Sequence, residues 1–156
     1  MTKNLKKESL REWAPLVLRL TIGIGFMVHG YAKLDRGPEK FAGLLSWMDV
    51  PFPHFMAWLV TIIELLGGFA MVVGAFVTLI SVPLIAIHVV AISGIHWKFG
   101  FNSVHTIGLT PNGPVFGPPG YEINLLYIAG IIAILLSRDA GPWSIDRWMQ
   151  NRYKFT

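Results

Sequence analysis

Residues 55–95 form a run of 41 positions that contains only two ionisable side chains, Glu64 and His88. As a single helix with a rise of about 1.5 Å per residue, this run would be roughly twice as long as the hydrocarbon core of a bilayer is thick. Two antiparallel membrane helices joined by a tight turn fit it better. An ionisable group at membrane depth costs at least about 2.5–3.5 kcal/mol, so it usually faces a bundle interior or a polar cavity. The run therefore predicts an integral membrane protein and makes Glu64 and His88 the first candidates for its chemistry.

The composition supports a membrane protein and excludes several classes of function. Hydrophobic residues make up 53% of the 156 residues, charged residues make up 14%, and the mean hydropathy is +0.54. These values are too apolar for a soluble domain of this size. The chain has no cysteine and so supplies no disulfide, thiolate nucleophile or Cys-ligated cluster. The net charge of +4 comes with no nucleic-acid-binding motif, so we expect anionic lipid head groups rather than nucleic acid as its counterpart.

Four apolar segments predict an all-α fold, a four-helix membrane bundle that forms one transmembrane domain over residues 1–156. The predicted helices cover residues 14–34, 55–74, 78–97 and 121–137. The first segment could instead be a cleaved signal peptide, because lysines precede it. Arg19 within the segment and the lack of a small-residue cleavage site favour a retained helix. The long Gly- and Pro-rich segment 98–120 is predicted to be an outer loop, either an exposed connector or a lid over the bundle.

The distribution of lysine and arginine predicts that both termini are cytoplasmic. Eight basic residues lie in the two tails: Lys3, Lys6, Lys7, Arg11, Arg138, Arg147, Arg152 and Lys154. The bases in the segment between the first two helices are balanced by acids, and the segment between the last two has only Lys98. The positive-inside rule then places the tails in the cytoplasm and both longer loops outside.

Polar side chains are unevenly distributed over the depth of the predicted bundle. Measured from the centre of each span, Glu64 and His88 lie near the midplane, and Arg19 alone lies in the cytoplasmic half. The remaining ionisable groups approach the outer edge, with His29 about 7 Å from the midplane. This distribution predicts a pocket that opens outward, with Glu64 and His88 as its catalytic residues. The ligand-binding candidates are His29, Lys33, His96 and Glu122.

Each candidate also has a purely structural interpretation. Glu64 could be a protonated carboxyl bonded between helices, and His88 a packing histidine. Lys33 could extend its ammonium to the interface, and Glu122 could favour the start of a helix through the helix dipole. Small residues in the first two helices predict close helix contact. These residues are Gly23, Gly25, Gly30, Gly67, Gly68 and Gly74.

The polar residues near the midplane indicate which cofactor to expect. A histidine and a carboxylate at one depth could bind a quinone head group and exchange protons with it, so a quinone is the expected cofactor. Axial ligation of a haem by His29 and His88 is a weaker alternative, because their depths differ by about 6 Å. A metal held by His29, His88 and Glu64 is also weaker, because no short ligand spacing supports it, and we assign no metal ligands.

The chain resembles the DoxX family of small four-helix bacterial membrane proteins. The resemblance rests on LRLTIGIGFMVHGYAKL at residues 18–34, ELLGG at 64–68, Gly74, His88, Glu122 and GPWSID at 141–146. Together these cover about residues 15–146.

The resemblance implies a multi-pass protein of the bacterial inner membrane and, for some members of the family, a link to redox chemistry. Members of the family include a thiosulfate:quinone oxidoreductase subunit and a component of a membrane complex with superoxide dismutase and a sulfurtransferase. We therefore expect a quinone-linked oxidoreductase subunit whose partners are the lipid bilayer and other membrane or redox subunits, or further copies of itself. The alternative is a noncatalytic subunit that anchors or stabilises a larger complex. Small-molecule transport is less favoured, because no inverted repeat is evident.

Overall fold

The computed structural model of the chain describes residues 10–137 and 139–153. Its helices are α1 (Ala14–Arg36), α2 (Pro38–Trp47), α3 (Pro53–Val73), α4 (Val77–Ala91), α5 (Glu122–Leu136) and α6 (Ile145–Tyr153). Helix α4 continues through a π-helical turn (Ile92–His96) and a 3-10 turn (Trp97–Phe99). A two-stranded antiparallel hairpin, β1 (Thr106–Thr110) and β2 (Gly113–Phe116), lies between α4 and α5.

In the described part of the chain, three helices are long and apolar enough to cross a membrane. They are Ala14–Arg36, Pro53–Val73 and Val77–Phe99. Helix α5 is apolar but has only 15 residues, which corresponds to about 22 Å against a hydrocarbon core of about 30 Å. Each of the four predicted helices matches an observed helix to within a few residues. The membrane class is confirmed, while a crossing by α5 stays a prediction.

Glycines allow α1 and α3 to pack closely, as the sequence predicts. A Cβ atom on Gly23 would lie 2.6 Å from the carbonyl oxygen of Gly68, and one on Gly68 would lie 2.7 Å from that of Gly23. Further along α1, a Cβ atom on Gly30 would lie 3.1 Å from the Cβ of Glu64. Helix α5 completes the bundle by packing against both α1 and α4. The shared core is built from Ile22, Phe26, Met71, Val77, Leu84, Ile131 and Ile134.

The two ends of the bundle have different structures. At one end, here called the tail end, the start of α1 meets the turn between α3 and α4 and the segment after α5. The buried Arg19 guanidinium donates hydrogen bonds to the carbonyl oxygens of Ala140 (2.6 Å) and Trp143 (3.3 Å) there. The carboxylate of Asp146 accepts from the first backbone N–H groups of α4. The opposite end, here called the loop end, contains α2 and the β-hairpin.

The expectation of an all-α fold needs a correction at the hairpin. Residues 106–116 combine β-branched side chains with a Pro-Asn-Gly turn, in which Gly113 has φ 119°. These residues are typical of a tight hairpin, which pairs the backbone groups of this part of the loop. Helices α2 and α6 also lie outside the predicted spans, because both are too short to register as membrane segments.

The predicted orientation depends on the basic residues of the two tails. Five of the basic residues on which it rests lie outside the described residues: Lys3, Lys6, Lys7, Arg138 and Lys154. The tail end brings the start of α1, the α3–α4 turn and α6 together, which is the arrangement that two termini on one side require. That this side is cytoplasmic stays a prediction.

Candidate functional site

A cavity of about 950 Å³ occupies the half of the bundle nearest the loop end. This volume is at the upper end of the usual range for ligand pockets. Its walls come from α1, α2, α3, α4, α5 and the loop that carries the hairpin. Most lining side chains are apolar. The polar ones are His29, Lys33, Arg36, Lys40, Glu64, His88, His96, Ser103 and Asn124.

A buried ion pair lies in the wall between α1 and α3. The Lys33 ammonium donates to the Glu64 carboxylate, and Glu64 is only 4% exposed. The close contact at Gly30, one turn before Lys33, holds the two helices near enough for this pair to form. The ammonium also lies 5.0 Å from the centre of the Phe41 ring on α2. Lys33 therefore points into the bundle rather than extending to the interface.

His88 is held in one orientation on α4. Its Nδ1 lies 3.0 Å from the side-chain amide nitrogen of Asn124 on α5, and it is 7% exposed. The amide donates to Nδ1, which places the imidazole proton on Nε2. The rings of Phe26 and Tyr127 pack against the imidazole, with centroids 5.0 and 4.8 Å away. Within the described part of the chain, Nε2 is buried and has no hydrogen-bond partner, which leaves a donor without an acceptor.

The structure brings Glu64 and His88 to one cavity but gives each its own partner. Glu64 is paired with Lys33, and His88 is bonded to Asn124. No hydrogen bond joins Glu64 to His88 among the residues described. The two predicted catalytic side chains are thus separate contact points for one ligand rather than a bonded dyad.

Of the ligand-binding candidates, Glu122 is the exception, because it does not line the cavity. Its carboxylate accepts a hydrogen bond of 3.1 Å from the backbone N–H of Ser103, which ties the loop to the first turn of α5. His29 and Lys33 line the cavity from α1, and His96 lines it from the π-helical turn. His96 Nδ1 donates to the carbonyl oxygen of Pro119 at 2.8 Å, so it also holds the loop.

Several lining residues are absent from the sequence-based site. Asn124 is a lone amide in the apolar helix α5, and that isolation is a signal that could have marked it. Arg36 ends α1, and Lys40 reaches the cavity because the segment after α1 forms helix α2, which packs mainly against α3, rather than the predicted loop. The two ends of the outer loop also lie over the cavity, through Ser103, Pro119 and Gly120, whereas its hairpin is exposed.

A metal-binding cluster is not found in the described part of the chain. No group of three or more His, Cys, Asp or Glu side chains lies close enough there to hold a metal ion.

Comparison with known proteins gives one match. The family model for DoxX matches residues 14–97, which is more than half of the chain. The match includes Lys33, Glu64 and His88 and ends before Glu122 and the GPWSID segment. No curated protein and no solved structure gives a significant match. On the family match, the chain belongs to the DoxX family of membrane proteins.

Proposed function

We propose that the cavity binds a quinone and that the chain is the membrane subunit of a quinone-linked oxidoreductase in the bacterial inner membrane. The observation that carries the proposal is the composition of the cavity wall. A largely apolar chamber between the helices contains the Lys33–Glu64 pair and the His88 imidazole. A ligand that matches this wall has a polar head and an apolar tail.

The donors in the wall fit the head group of a quinone. Its carbonyl oxygens accept hydrogen bonds, and the Lys33 ammonium in the cavity wall is a donor for one of them. The Nε2–H of His88 is buried and without a partner, and in this proposal it donates to the ligand once the side chains that cover it move aside. An isoprenoid tail would lie against the apolar face of α2. That face consists of Phe41, Leu44, Leu45 and Met48.

In this proposal, Glu64 exchanges protons with the bound quinone. A bound quinone supplies the capacity to take up two electrons and two protons. Glu64 is a titratable group beside the ligand, and Lys33 holds its carboxylate in place. His88 orients the head group through Nε2, and Asn124 fixes the imidazole for that task. The chain has no cysteine to carry electrons, so we propose that a partner redox subunit delivers them.

A noncatalytic role as an anchor or stabilising subunit is the second candidate. The observation in its favour is that Glu64 already has a partner in Lys33. A buried carboxylate that is paired with an ammonium needs no ligand to justify its position.

Binding and turnover are measured separately to test the proposal. Purified protein is titrated with a short-chain quinone analogue, and quinone reduction is followed in membranes that contain the chain and its native partners. We expect the wild type to bind the analogue, His88→Asn and the double variant Lys33→Met/Glu64→Gln to bind it at least tenfold more weakly, and Ser93→Ala to bind it normally. The double variant is used because Lys33→Met alone leaves the buried Glu64 carboxylate unpaired, whereas Glu64→Gln alone should still bind. Ser93 is a matched control because it is exposed on the same helical segment and does not line the cavity.

Glu64→Gln distinguishes catalysis from anchoring. An amide keeps the volume of the side chain but cannot titrate, so turnover should be lost while the protein still inserts and binds the analogue. If Glu64→Gln kept normal turnover, Glu64 would not be catalytic, and the role of an anchoring subunit would describe the protein better. Failure of the wild type to bind any quinone analogue would remove the proposal.

A further inference from the structure

Charges around the junction between α1 and α2 are sorted by sign. The segment 33–40 contains three cations and two carboxylates. The cations Lys33, Arg36 and Lys40 all line the cavity, whereas Asp35 and Glu39 do not. Lys33 and Arg36 are three residues apart on α1 and so share a face of that helix, and Lys40 lines the cavity from the first turn of α2. Positive charge therefore collects on the cavity side of this junction.

Two of the three cations are uncompensated. Glu64 is paired with Lys33, and the Glu39 carboxylate is held by His54 at 2.6 Å. Arg36 and Lys40 are exposed, and neither forms a salt bridge with an acid in the described part of the chain. They form a pair of cations at the rim of the cavity, outside the ion pair in its wall.

The rim pair lies beside an apolar surface. Gly37, with φ 88°, ends α1 and lets α2 begin at once, so the last turn of α1 and the first turn of α2 are adjacent. From Lys40 onward, the face of α2 that lines the cavity is apolar, with Phe41, Leu44, Leu45 and Met48. Two cations followed by an apolar wall match an amphipath with a negative head.

We propose that the rim binds the phosphate of an anionic phospholipid, with one acyl chain lying against the apolar face of α2 in the cavity. The Arg36 guanidinium supplies a planar fork for the phosphate oxygens, and Lys40 supplies a second charge. A zwitterionic lipid would bring its own ammonium towards these cations and bind more weakly. A free phosphate would gain nothing from the apolar wall. The phosphate contacts are distinct from the proposed quinone head-group contacts, whereas the acyl chain uses the same face of α2 as the proposed isoprenoid tail, so the lipid and a long-chain quinone would exclude one another there. The lipid proposal does not depend on quinone binding.

Lipid binding to the purified, delipidated protein tests this site. Native mass spectrometry compares phosphatidylglycerol with phosphatidylcholine of the same acyl chains, and inorganic phosphate is added as a competitor. We expect the wild type to prefer phosphatidylglycerol by about tenfold or more, because two lysine or arginine charges contribute. The variant Arg36→Gln/Lys40→Gln should bind both lipids equally, and phosphate should not displace the lipid.

Lys98→Gln is the matched control. Lys98 lies at the same end of the bundle, but its ammonium lies 4.4 Å from the Trp47 ring centre and it does not line the cavity. This variant should keep the full preference. Equal binding of both lipids by the wild type, loss of preference with Lys98→Gln, or displacement by phosphate would each overturn the proposal.

Folding and quinone binding are checked in the same samples. Arg36 and Lys40 are exposed, so the double variant should melt within a few degrees of the wild type and still bind the quinone analogue. A charge-reversed variant, Arg36→Glu/Lys40→Glu, should bind phosphatidylglycerol more weakly than phosphatidylcholine. A reversed variant that still prefers phosphatidylglycerol would also overturn the proposal. Because the quinone assay is separate, failure of one proposal leaves the other to be judged on its own result.

Discussion

At the scale of single residues, Glu64 and Lys33 show how the bundle accommodates charge. A lone carboxylate in the wall between α1 and α3 would be costly, and the ammonium of Lys33 offsets that cost. The pair depends on Gly30, because a side chain there would push α1 away from α3. Lys33, Gly30 and Glu64 therefore act as one structural unit, whatever ligand the cavity holds.

The first prediction concerns the coupling within this unit. Lys33→Met should destabilise the protein strongly, by about 3–5 kcal/mol, because it leaves the buried Glu64 carboxylate without a partner. The double variant Lys33→Met/Glu64→Gln should recover much of that loss, since no charge remains to be paired. Unfolding in mixed micelles, followed by circular dichroism, measures both. If the changes in the free energy of unfolding caused by Lys33→Met and by Glu64→Gln simply added up in the double variant, the two side chains would not be energetically coupled.

A second prediction concerns Gly74, which ends α3 with φ 67°. A Cβ atom there would collide with the Arg19 guanidinium and approach the Cβ of Ser144. Gly74→Ala should therefore cost more than the 1–2 kcal/mol or so that left-handed backbone alone costs an L-residue. Gly43→Ala is the control, because Gly43 lies in α2 with open space around it and should gain about 0.5–1 kcal/mol. The same unfolding assay compares the two variants. Equal unfolding midpoints for Gly74→Ala and Gly43→Ala would contradict the predicted clash at Gly74.

At the scale of secondary-structure elements, the segment after α5 completes the tail end. Asp146 opens α6, and its two carboxylate oxygens accept from the backbone N–H groups of Phe76 (2.8 Å) and Val77 (2.9 Å) at the start of α4. A backbone hydrogen bond from Asp146 to Gly74 adds a third contact. The acid that belongs to one helix thus caps another, which fixes α6 against the α3–α4 turn.

The third prediction tests this cap. Asp146→Ala removes both side-chain acceptors and should cost about 0.5–2 kcal/mol, the usual range for losing a helix cap. Its effect should be visible as faster amide hydrogen exchange in residues 74–80. Asp35→Ala is the control, because Asp35 is exposed in the last turn of α1, where a negative charge does not favour the helix. If Asp146→Ala instead raised the amide exchange rates equally over the whole chain, the substitution would have destabilised the protein in general rather than removed a local cap.

The elements also show what could be predicted from the sequence. Long apolar stretches identify α1, α3, α4 and α5, because the bilayer sets their length and composition. Helix α2 is not predicted, because it has only 10 residues and its apolar face is recognisable only once it packs against α3. The same limit applies to the site. Glu64 and His88 are visible as polar residues at membrane depth, but their partners Lys33 and Asn124 depend on helix rotation and packing, which hydropathy does not determine.

At the scale of the whole molecule, the two ends of the bundle have separate tasks. The tail end is closed by Arg19, whose guanidinium bonds to carbonyl oxygens of the segment after α5, so it holds the helices together. The loop end contains the cavity, and the bundle is open enough there to admit a ligand.

The last prediction places these two ends on opposite sides of the bilayer. A reporter fused before Trp13 and another appended after Thr156 should both report the cytoplasm, because the basic residues of the tails favour that side. A reporter inserted at Asn112, in the exposed turn of the hairpin, should report the outside. This result requires α5 to cross the membrane although it has only 15 residues, with the bilayer thinning around it or its ends extending the span. If the two terminal reporters were on opposite sides, the number of crossings would be odd. A span count without α5 would conflict with its packing against α1 and α4 in the bundle, and the predicted outward opening of the cavity would be wrong.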